Sequence, residues 1–242
     1  MRNYANETEA RVEYIRGYLR NSGAHGIVFG NSGGKDSALV GILCKLACDD
    51  TVGVIMPCAS KRNYGMDRDD GLEVAEKFGI ETRTVDLTPV REAELAALEG
   101  AADMTDMAVA NIAPRLRMLT LYAIAHAEGR IVAGTGNASE AYVGYFTKWG
   151  DGAYDLNPIA DLTVGEIYEF LEYLGCPRAI IEKAPSAGLF EGQTDESEMG
   201  VSYADIDKAV KGLETEPDIK ARIERMHAAT EHKRRMPSRY GG

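Results

Sequence analysis

The sequence has few cysteines, and they are not arranged for metal binding or for a disulfide-rich fold. Four cysteines are spread over 242 residues, too few to stabilise a chain of this length through disulfides. None belongs to a C-x-x-C pair, which excludes a thioredoxin-type redox site and a zinc ribbon. Cys44 and Cys48 are one helical turn apart, a spacing typical of buried, apolar-like thiols. We therefore expect no redox or metal chemistry from the cysteines.

Positive charge is also scarce, with 27 Lys and Arg against 38 Asp and Glu and a formal net charge of −11. Non-specific binding to nucleic acid or to an anionic membrane surface requires excess positive charge, so we expect neither as a partner. No apolar run approaches the roughly 20 residues of a membrane span. The charged N-terminal segment also lacks the apolar stretch of a signal peptide. These absences predict a cytoplasmic protein.

Short apolar runs alternate with helical patterns in the first half of the chain. Predicted strands cover residues 26–29, 51–56, 80–87 and 130–133, and predicted helices cover residues 5–20, 37–48, 69–78 and 114–128. This alternation predicts an α/β fold with a doubly wound, mostly parallel sheet and helices on both faces, a Rossmann-like arrangement. Ligands of such sheets bind beyond the carboxyl ends of the strands, so the site is expected at the loops 30–37, 56–66 and 134–157.

The C-terminal part of the chain shows a different pattern. After residue 145 only helices are predicted, near 163–174, 203–210 and 217–232. We expect residues 1–242 to form one domain, in which the loop and helices of residues 185–242 close over the active site.

A glycine-rich segment, G-N-S-G-G-K-D-S at residues 30–37, connects the first predicted strand to a helix. Small residues there let the backbone approach phosphate oxygens, and the helix N-terminus presents unpaired N–H groups. A Walker A loop would need glycine in place of Phe29 and Ser or Thr in place of Asp36, so it is excluded. The pattern S-G-G-x-D-S instead resembles the loop of ATP pyrophosphatases, which holds the pyrophosphate end of ATP. The alternative is a tight strand-to-helix turn with no ligand. This is the weaker interpretation, because six aligned residues match the phosphate-loop pattern.

Two acidic residues predict a magnesium site beside this loop. Asp36 would repel a triphosphate unless a cation lay between them, and Mg²⁺ commonly uses one or two carboxylates together with phosphate oxygens. Glu140 follows the fourth predicted strand and is the candidate for the second carboxylate. The alternative for Glu140 is a solvated position in the first turn of a helix.

Six segments, taken in order, give the sequence a specific resemblance. They are S-G-G-K-D-S at 32–37, G-T-G-N-A-S-E at 134–140, G-Y-F-T-K-W-G-D-G at 144–152, K-A-P-S-A at 183–187, G-Q-T-D-E at 192–196 and E-H-K-R-R at 231–235, followed by Pro237. Over nearly the whole chain this series resembles the ammonia-dependent NAD⁺ synthetases of the ATP-pyrophosphatase superfamily. The resemblance implies a ligase that amidates deamido-NAD⁺ to NAD⁺, the last step of NAD⁺ biosynthesis. In that reaction ATP adenylates the nicotinate carboxylate and releases pyrophosphate, and ammonia then displaces AMP.

The resemblance also implies roles for individual residues. ATP would be bound by Gly30, Asn31, Ser32, Gly33, Gly34, Lys35, Asp36, Ser37, Thr135 and Ser186. Mg²⁺ would be held by Asp36 and Glu140. Deamido-NAD⁺ would be contacted by Arg115, Lys148, Asp155, His232 and Lys233. Lys148 and Asp151 would be catalytic, with Asp151 taking the proton that converts ammonium to ammonia.

Some of these residues have simpler interpretations. Arg115 is also explained as a solvated charge on a long helix. His232 and Lys233 are also explained as cations that complement a helix C-terminus, and Asp151 and Asp155 as turn residues in a glycine-rich loop.

One position departs from the family pattern. The family usually has a lysine that reaches the ATP phosphates where this chain has Val164. We expect Lys35, at the variable position of the phosphate loop, to supply the missing cation. The alternatives are Lys183 and a cation of the basic C-terminal segment.

The resemblance further implies a homodimer. A candidate dimer face is the apolar stripe Leu116, Leu119, Ala123, Ile124 and Ala127. No glutamine-amidase domain fits within 242 residues, so free ammonia, or ammonia handed over by another protein, is the expected nitrogen source. The competing hypotheses are another ATP-pyrophosphatase enzyme, such as a tRNA-thiolating or GMP-synthetase-like protein, and a nucleotide-binding regulatory protein without turnover.

Overall fold

Four strands of a computed structural model, which describes residues 2–59, 65–183 and 194–241, form one parallel sheet in the order β3-β2-β1-β4. Ile27 of β1 pairs with Thr51 of β2 on one side and with Ile131 of β4 on the other. The strands are β1 (Gly26–Gly30), β2 (Thr51–Ile55), β3 (Glu81–Thr84) and β4 (Arg130–Ala133). The predicted parallel α/β sheet is confirmed.

Helices precede, connect and follow these strands. None of the described helices is both long enough and apolar enough to cross a membrane. The helices are α1 (Tyr4–Ser22), α2 (Lys35–Ala47), α3 (Met66–Phe78), α4 (Thr88–Ala97), α5 (Asp106–Ala110), α6 (Ile112–Glu128), α7 (Ala138–Val143), α8 (Val164–Tyr173), α9 (Arg178–Glu182), α10 (Asp195–Met199), α11 (Tyr203–Val210), α12 (Pro217–Ala229) and α13 (Glu231–Arg234).

The side chains of the strands alternate between two apolar cores, because successive strand residues point to opposite faces. Ile27 and Phe29 belong to the core formed with α1, α2, α3 and α8. Val28 and Val132 belong to the opposite core, which α6 covers with Ala113. Each fully buried aliphatic side chain contributes about 1.5–3 kcal/mol, so the alternation stabilises helices on both faces. The predicted double winding is therefore confirmed.

The prediction for residues 80–87 was wrong in extent. The strand covers only Glu81–Thr84, and α4 begins at Thr88. The carboxylate of Asp86 accepts a hydrogen bond from the Thr88 backbone N–H at 2.9 Å, and proline is well tolerated in a first helical turn. The Thr-Pro pair therefore starts a helix here.

The C-terminal helices were only partly predicted. The structure adds α9 and α10, and it divides the predicted helix 217–232 into α12 and α13 at Thr230. A third apolar cluster joins α7, α8, α10, α11 and α12 through Val143, Val164, Met199, Ile206 and Ile223. This cluster places the C-terminal helices beside the carboxyl edge of the sheet.

Candidate active site

A cavity of about 710 Å³ lies at the carboxyl ends of β1, β2 and β4. Its volume falls within the roughly 300–1,000 Å³ of small-molecule sites. The phosphate loop (residues 30–37) lines one side, and Met56 and Thr135, which follow β2 and β4, line another. Asp195, Glu198 and Lys233 of the C-terminal helices complete the wall. The cavity lies at the sheet edge where the sequence predicts the site.

The phosphate loop is held by contacts that only small residues permit. Gly33 has a φ of +69°, and a Cβ there would lie 1.9 Å from the carbonyl oxygen of Asp67. Its N–H donates to the side-chain oxygen of Asn31 at 3.3 Å, and the Asn31 amide donates to the carbonyl of Gly71 at 3.0 Å. The loop is thereby fixed against α3 and presents the N-terminus of α2 to the cavity, an arrangement suited to phosphate binding.

Asp36 and Glu140 are brought together by the first turns of α2 and α7. Asn137 connects them, because its amide donates to Asp36 Oδ1 at 3.0 Å and its backbone N–H donates to Glu140 Oε2 at 3.1 Å. Burial, and then repulsion from Asp36, raise the pKa of Glu140. Two carboxylates that destabilise each other's charge favour a cation between them, so this pair fits a divalent ion.

No group of three or more metal-ligating His, Cys, Asp or Glu side chains occurs within the described ranges. Mg²⁺ does not need such a cage when substrate phosphates supply the remaining ligands. The donor set of Asp36 and Glu140 is therefore compatible with a metal that arrives with ATP.

Lys35 contacts one member of this carboxylate pair and is attracted by the other. Only 7% of the residue is exposed, and its ammonium donates to Asp36 Oδ2 at 2.7 Å. Burial alone lowers the pKa of Lys35, but attraction from Asp36 and Glu140 outweighs it and raises the pKa overall. Lys35 is therefore a buried, charged residue at the phosphate loop.

Asp151 also lines the cavity and lies in the glycine-rich loop of residues 144–152. Its Oδ1 accepts a hydrogen bond from the Thr147 backbone N–H at 2.9 Å, and its side chain is open to the cavity. Desolvation by the surrounding protein raises the pKa of Asp151. The hydrogen bond from Thr147 and the positive charges of Arg117 and Lys233 partly oppose this effect. A raised pKa brings a carboxylate closer to the pKa that a general base needs near neutral pH.

Most residues predicted to bind ATP lie on the cavity wall. Thr135 lines the cavity together with every residue of the phosphate loop except Gly33, which is turned against Asp67. Ser186 lies outside the described residues. Val164 is buried in the third apolar cluster. The backbone N–H of Thr163, the residue before Val164, donates a hydrogen bond to the carboxylate of Glu166 at 2.9 Å.

The residues predicted to contact deamido-NAD⁺ are divided between two places. Lys233 lines the cavity, whereas Arg115, Lys148, Asp155 and His232, all within the described chain, lie outside its wall. The ammonium of Lys148 donates to the His232 carbonyl at 2.6 Å. Asp155 accepts hydrogen bonds from the Val132 N–H at 2.8 Å and from the Tyr122 hydroxyl at 3.2 Å.

Several residues of the cavity wall were not predicted from the sequence. Arg117 lies there and donates to the Met56 carbonyl at 3.1 Å, and burial lowers the pKa of its guanidinium. The hydroxyl of Tyr145 bonds with Glu198 at 2.7 Å and with Asp195 at 3.2 Å. Asp195 belongs to the G-Q-T-D-E segment, which contributes to the family resemblance, and Arg117 lies two positions after the predicted Arg115. The sequence therefore pointed to the neighbourhood of both residues.

Lys183 was considered only as an alternative cation. Its ammonium contacts Asp67 at 2.8 Å and Asp70 at 2.5 Å, and it donates to the Gly33 carbonyl at 3.2 Å. Lys183 thus connects the phosphate loop to α3.

The sheet, the phosphate loop and the paired carboxylates define an ATP-binding α/β enzyme of the ATP-pyrophosphatase type. The NAD synthase family model matches residues 7–237, and the chain belongs to this family. An NH₃-dependent NAD⁺ synthetase from Carboxydothermus hydrogenoformans is 44% identical over 238 residues, covering 97% of each chain.

Two solved structures have the same fold over nearly all of their length. The NMN synthetase from Francisella tularensis aligns with a TM-score of 0.93 at 38% identity, covering 99% of both chains. The NH₃-dependent NAD synthetase from Campylobacter jejuni aligns with a TM-score of 0.79 at 28% identity, again covering 99% of both chains.

These comparisons confirm the resemblance, the fold class and the function predicted from the sequence. The chain is a ligase that amidates deamido-NAD⁺ to NAD⁺ with ATP and ammonia. Family membership does not support the tRNA-thiolating, GMP-synthetase-like or regulatory alternatives.

Proposed function

We propose that adenylation and ammonia attack take place in the one cavity, with the ATP site on the phosphate-loop wall and the acyl site near Asp151. The observation that carries this proposal is that the phosphate loop, Glu140, Arg117 and Asp151 line the same cavity of about 710 Å³. Chemistry of this kind depends mainly on positioning and on neutralising charge.

In the first step the backbone N–H groups of the loop bind the polyphosphate of ATP. Asp36 and Glu140 would hold Mg²⁺, which neutralises phosphate charge when bound. The substrate carboxylate oxygen attacks the α-phosphorus, an O–P bond forms, and the bond to pyrophosphate breaks. Arg117 supplies positive charge to the acidic reactants at the centre of the cavity.

In the second step ammonia attacks the acyl carbon and AMP leaves. Ammonium must first lose a proton to become ammonia, and Asp151 accepts that proton. Its raised pKa supports this role. Lys233, which donates to the carbonyls of Gly144 at 2.8 Å and Phe146 at 2.7 Å, holds the loop that contains Asp151.

The rest of the dinucleotide would contact Arg115, Lys148, Asp155 and His232 outside the cavity. Homodimeric assembly, a cytoplasmic location and the magnesium requirement belong to this proposal as well. The carboxylate pair supports the magnesium requirement, and the exposed Leu119 of α6 supports the dimer.

A second substrate is favoured by the structural comparison. The fold superposes more closely on the Francisella tularensis NMN synthetase, with a TM-score of 0.93, than on the Campylobacter jejuni NAD synthetase, with 0.79. Nicotinate mononucleotide has the same carboxylate as deamido-NAD⁺ and lacks the adenylate half. We therefore propose that this chain also amidates the mononucleotide.

One experiment tests both substrates. The protein is incubated with ATP, ammonium, Mg²⁺ and either deamido-NAD⁺ or nicotinate mononucleotide, and the nucleotides are separated by chromatography. With all substrates present, we expect AMP, pyrophosphate and the amide in equal amounts. When ammonium is omitted, we expect no amide and no AMP, and at most one equivalent of pyrophosphate per enzyme from the adenylation step. ADP as the product would contradict the mechanism, and the ratio of the two kcat/KM values decides the preferred substrate.

A further inference from the structure

We infer that the Lys35 ammonium is a built-in cation of the Asp36–Glu140 pair, and that a divalent cation bound by this pair must compete with its charge. This inference rests on the proposed metal-assisted ATP site. It assigns Lys35 a role in controlling metal binding.

The contacts of Asp36 show why a divalent cation competes with Lys35. Its Oδ2 accepts from the Lys35 ammonium at 2.7 Å, and its Oδ1 accepts from the Asn137 amide at 3.0 Å. Each oxygen keeps a second lone pair for a metal ion. A metal ion on Asp36 would nevertheless lie close to the Lys35 ammonium, and the repulsion between the two cations opposes its binding.

Asn137 is the less movable of the two donors. It is fully buried at 0% exposure, and its side-chain oxygen accepts from the Glu140 N–H at 2.9 Å to cap α7. Moving Asn137 would remove the N-cap of the helix that holds Glu140.

Lys35 is the more movable donor. Its flexible four-carbon side chain places the ammonium 5.5 Å from the ring centroid of Tyr203, and an ammonium on such a chain forms point-charge contacts with little directional demand. Lys35 is therefore the donor that moves more easily when a metal ion binds to the pair.

The test is metal binding without nucleotide or turnover. Mn²⁺ binding to the full-length protein is measured by the electron paramagnetic resonance signal of free Mn²⁺, for wild type and Lys35→Met. We expect Lys35→Met to bind Mn²⁺ at least tenfold more tightly, because the carboxylate pair has lost its internal cation. Lys35→Arg, which keeps the charge, should bind as weakly as wild type.

Lys45→Met is the matched control, since it removes the same charge from the far end of the same helix. It should stay within twofold of wild type. Equal Mn²⁺ affinity in wild type and Lys35→Met, no binding by either protein, or equal tightening in Lys45→Met would each overturn the inference. If Lys35→Met does not fold by circular dichroism, Lys35→Gln takes its place under the same criteria. Because neither ATP nor a nicotinate substrate is present, a failed product assay would leave this result unaffected.

Discussion

At Gly33 the phosphate loop presses against the backbone of α3, and this contact requires glycine. The positive φ of +69° is unfavourable for other residues, and the space for a side chain is taken by the Asp67 carbonyl. The neighbouring Lys183 donates to the Gly33 carbonyl and contacts Asp67. One residue thus fixes the loop's distance from α3.

We predict that Gly33→Ala displaces the loop and weakens ATP binding more than tenfold. The matched control is Gly212→Ala, because Gly212 has a similar φ of +68° but open space around it. Backbone strain alone costs about 1–2 kcal/mol, so Gly212→Ala should lose that much stability and keep its ATP affinity. Urea unfolding and isothermal titration with ATP measure the two effects. Equal losses in both variants would show that crowding at Gly33 is unimportant.

Among the helices, α7 is held at both ends because it positions Glu140. Asn137 caps its start, and Arg234 of α13 donates to the carbonyls of Ala141 at 3.1 Å and Tyr142 at 3.2 Å at its end. Lys233 continues this set of contacts into the loop that contains Asp151. The E-H-K-R-R segment therefore has a structural role next to its proposed binding role.

Helix α1 is attached to the segment before α8 by Arg11. The Arg11 guanidinium contacts Asp161 at 2.6 Å and Glu7 at 2.7 Å, and it donates to the Pro158 carbonyl at 2.5 Å. Arg20 of the same helix forms an exposed pair with Glu13 at 2.6 Å. The two arginines differ in burial, with 10% and 64% of the side chain exposed, and in the number of partners that they contact.

We predict that Arg11→Met lowers the free energy of unfolding by about 1.5–3 kcal/mol, the cost of losing hydrogen bonds to charged groups. Arg20→Met should cost less than about 1 kcal/mol, as exposed ion pairs do. Chemical denaturation of both variants at neutral pH is the measurement. Similar losses would mean that burial does not decide the strength of these contacts.

The same prediction has a pH dependence. Burial raises the pKa of Asp161, but its hydrogen bond and attraction to Arg11 outweigh that effect and hold the pKa below the ordinary value of 3.8. A carboxylate with a lowered pKa in the folded state stabilises the fold above its unfolded pKa and loses that contribution as pH falls. The difference between wild type and Arg11→Met should therefore shrink below about pH 4. An unchanged difference at pH 3 would exclude Asp161 as the partner that matters.

At the scale of the whole molecule, the apolar stripe of α6 that was predicted as a dimer face is partly packed inside the protein and partly exposed. Leu116 and Ile124 pack against the second core, whereas Leu119 is 60% exposed. Exposed apolar residues of this size are common singly and become informative when they lie beside a functional surface. Arg115, on the same helix, is the predicted substrate contact closest to Leu119 in the sequence.

We predict that the wild type sediments as a dimer and that Leu119→Asp sediments as a monomer. A charge at an apolar interface costs several kcal/mol when it cannot be paired. Leu213→Asp is the matched control, because Leu213 is 59% exposed on a different part of the surface. Sedimentation velocity distinguishes the two states. A monomeric wild type, or dissociation in both variants, would contradict the proposed face.

Much of the fold was determined by local sequence patterns. Apolar runs and helical periodicity identified all the strands of the sheet and its long helices, because each pattern depends on neighbouring residues and on burial. The strand at 80–87 was predicted too long, since the hydrogen bond from the Thr88 N–H to Asp86 and the following proline favour a helix start that apolar content alone does not reveal. The short helices α5, α7, α9 and α10 were missed because five or six residues show too little periodicity.

The chemistry of the site was also partly determined by the sequence. The G-N-S-G-G-K-D-S segment specifies its own phosphate loop, since its glycines, its cap and its helix start are consecutive in the chain. Only the tertiary structure decided which distant residues face that loop. Lys35 could have pointed to solvent, but it contacts Asp36 and lies within the electrostatic reach of Glu140 because α2 and α7 begin at the same sheet edge. Arg117 and Asp195 reach the cavity for the same physical reason, which is that parallel strands bring loops from widely separated parts of the chain to one edge.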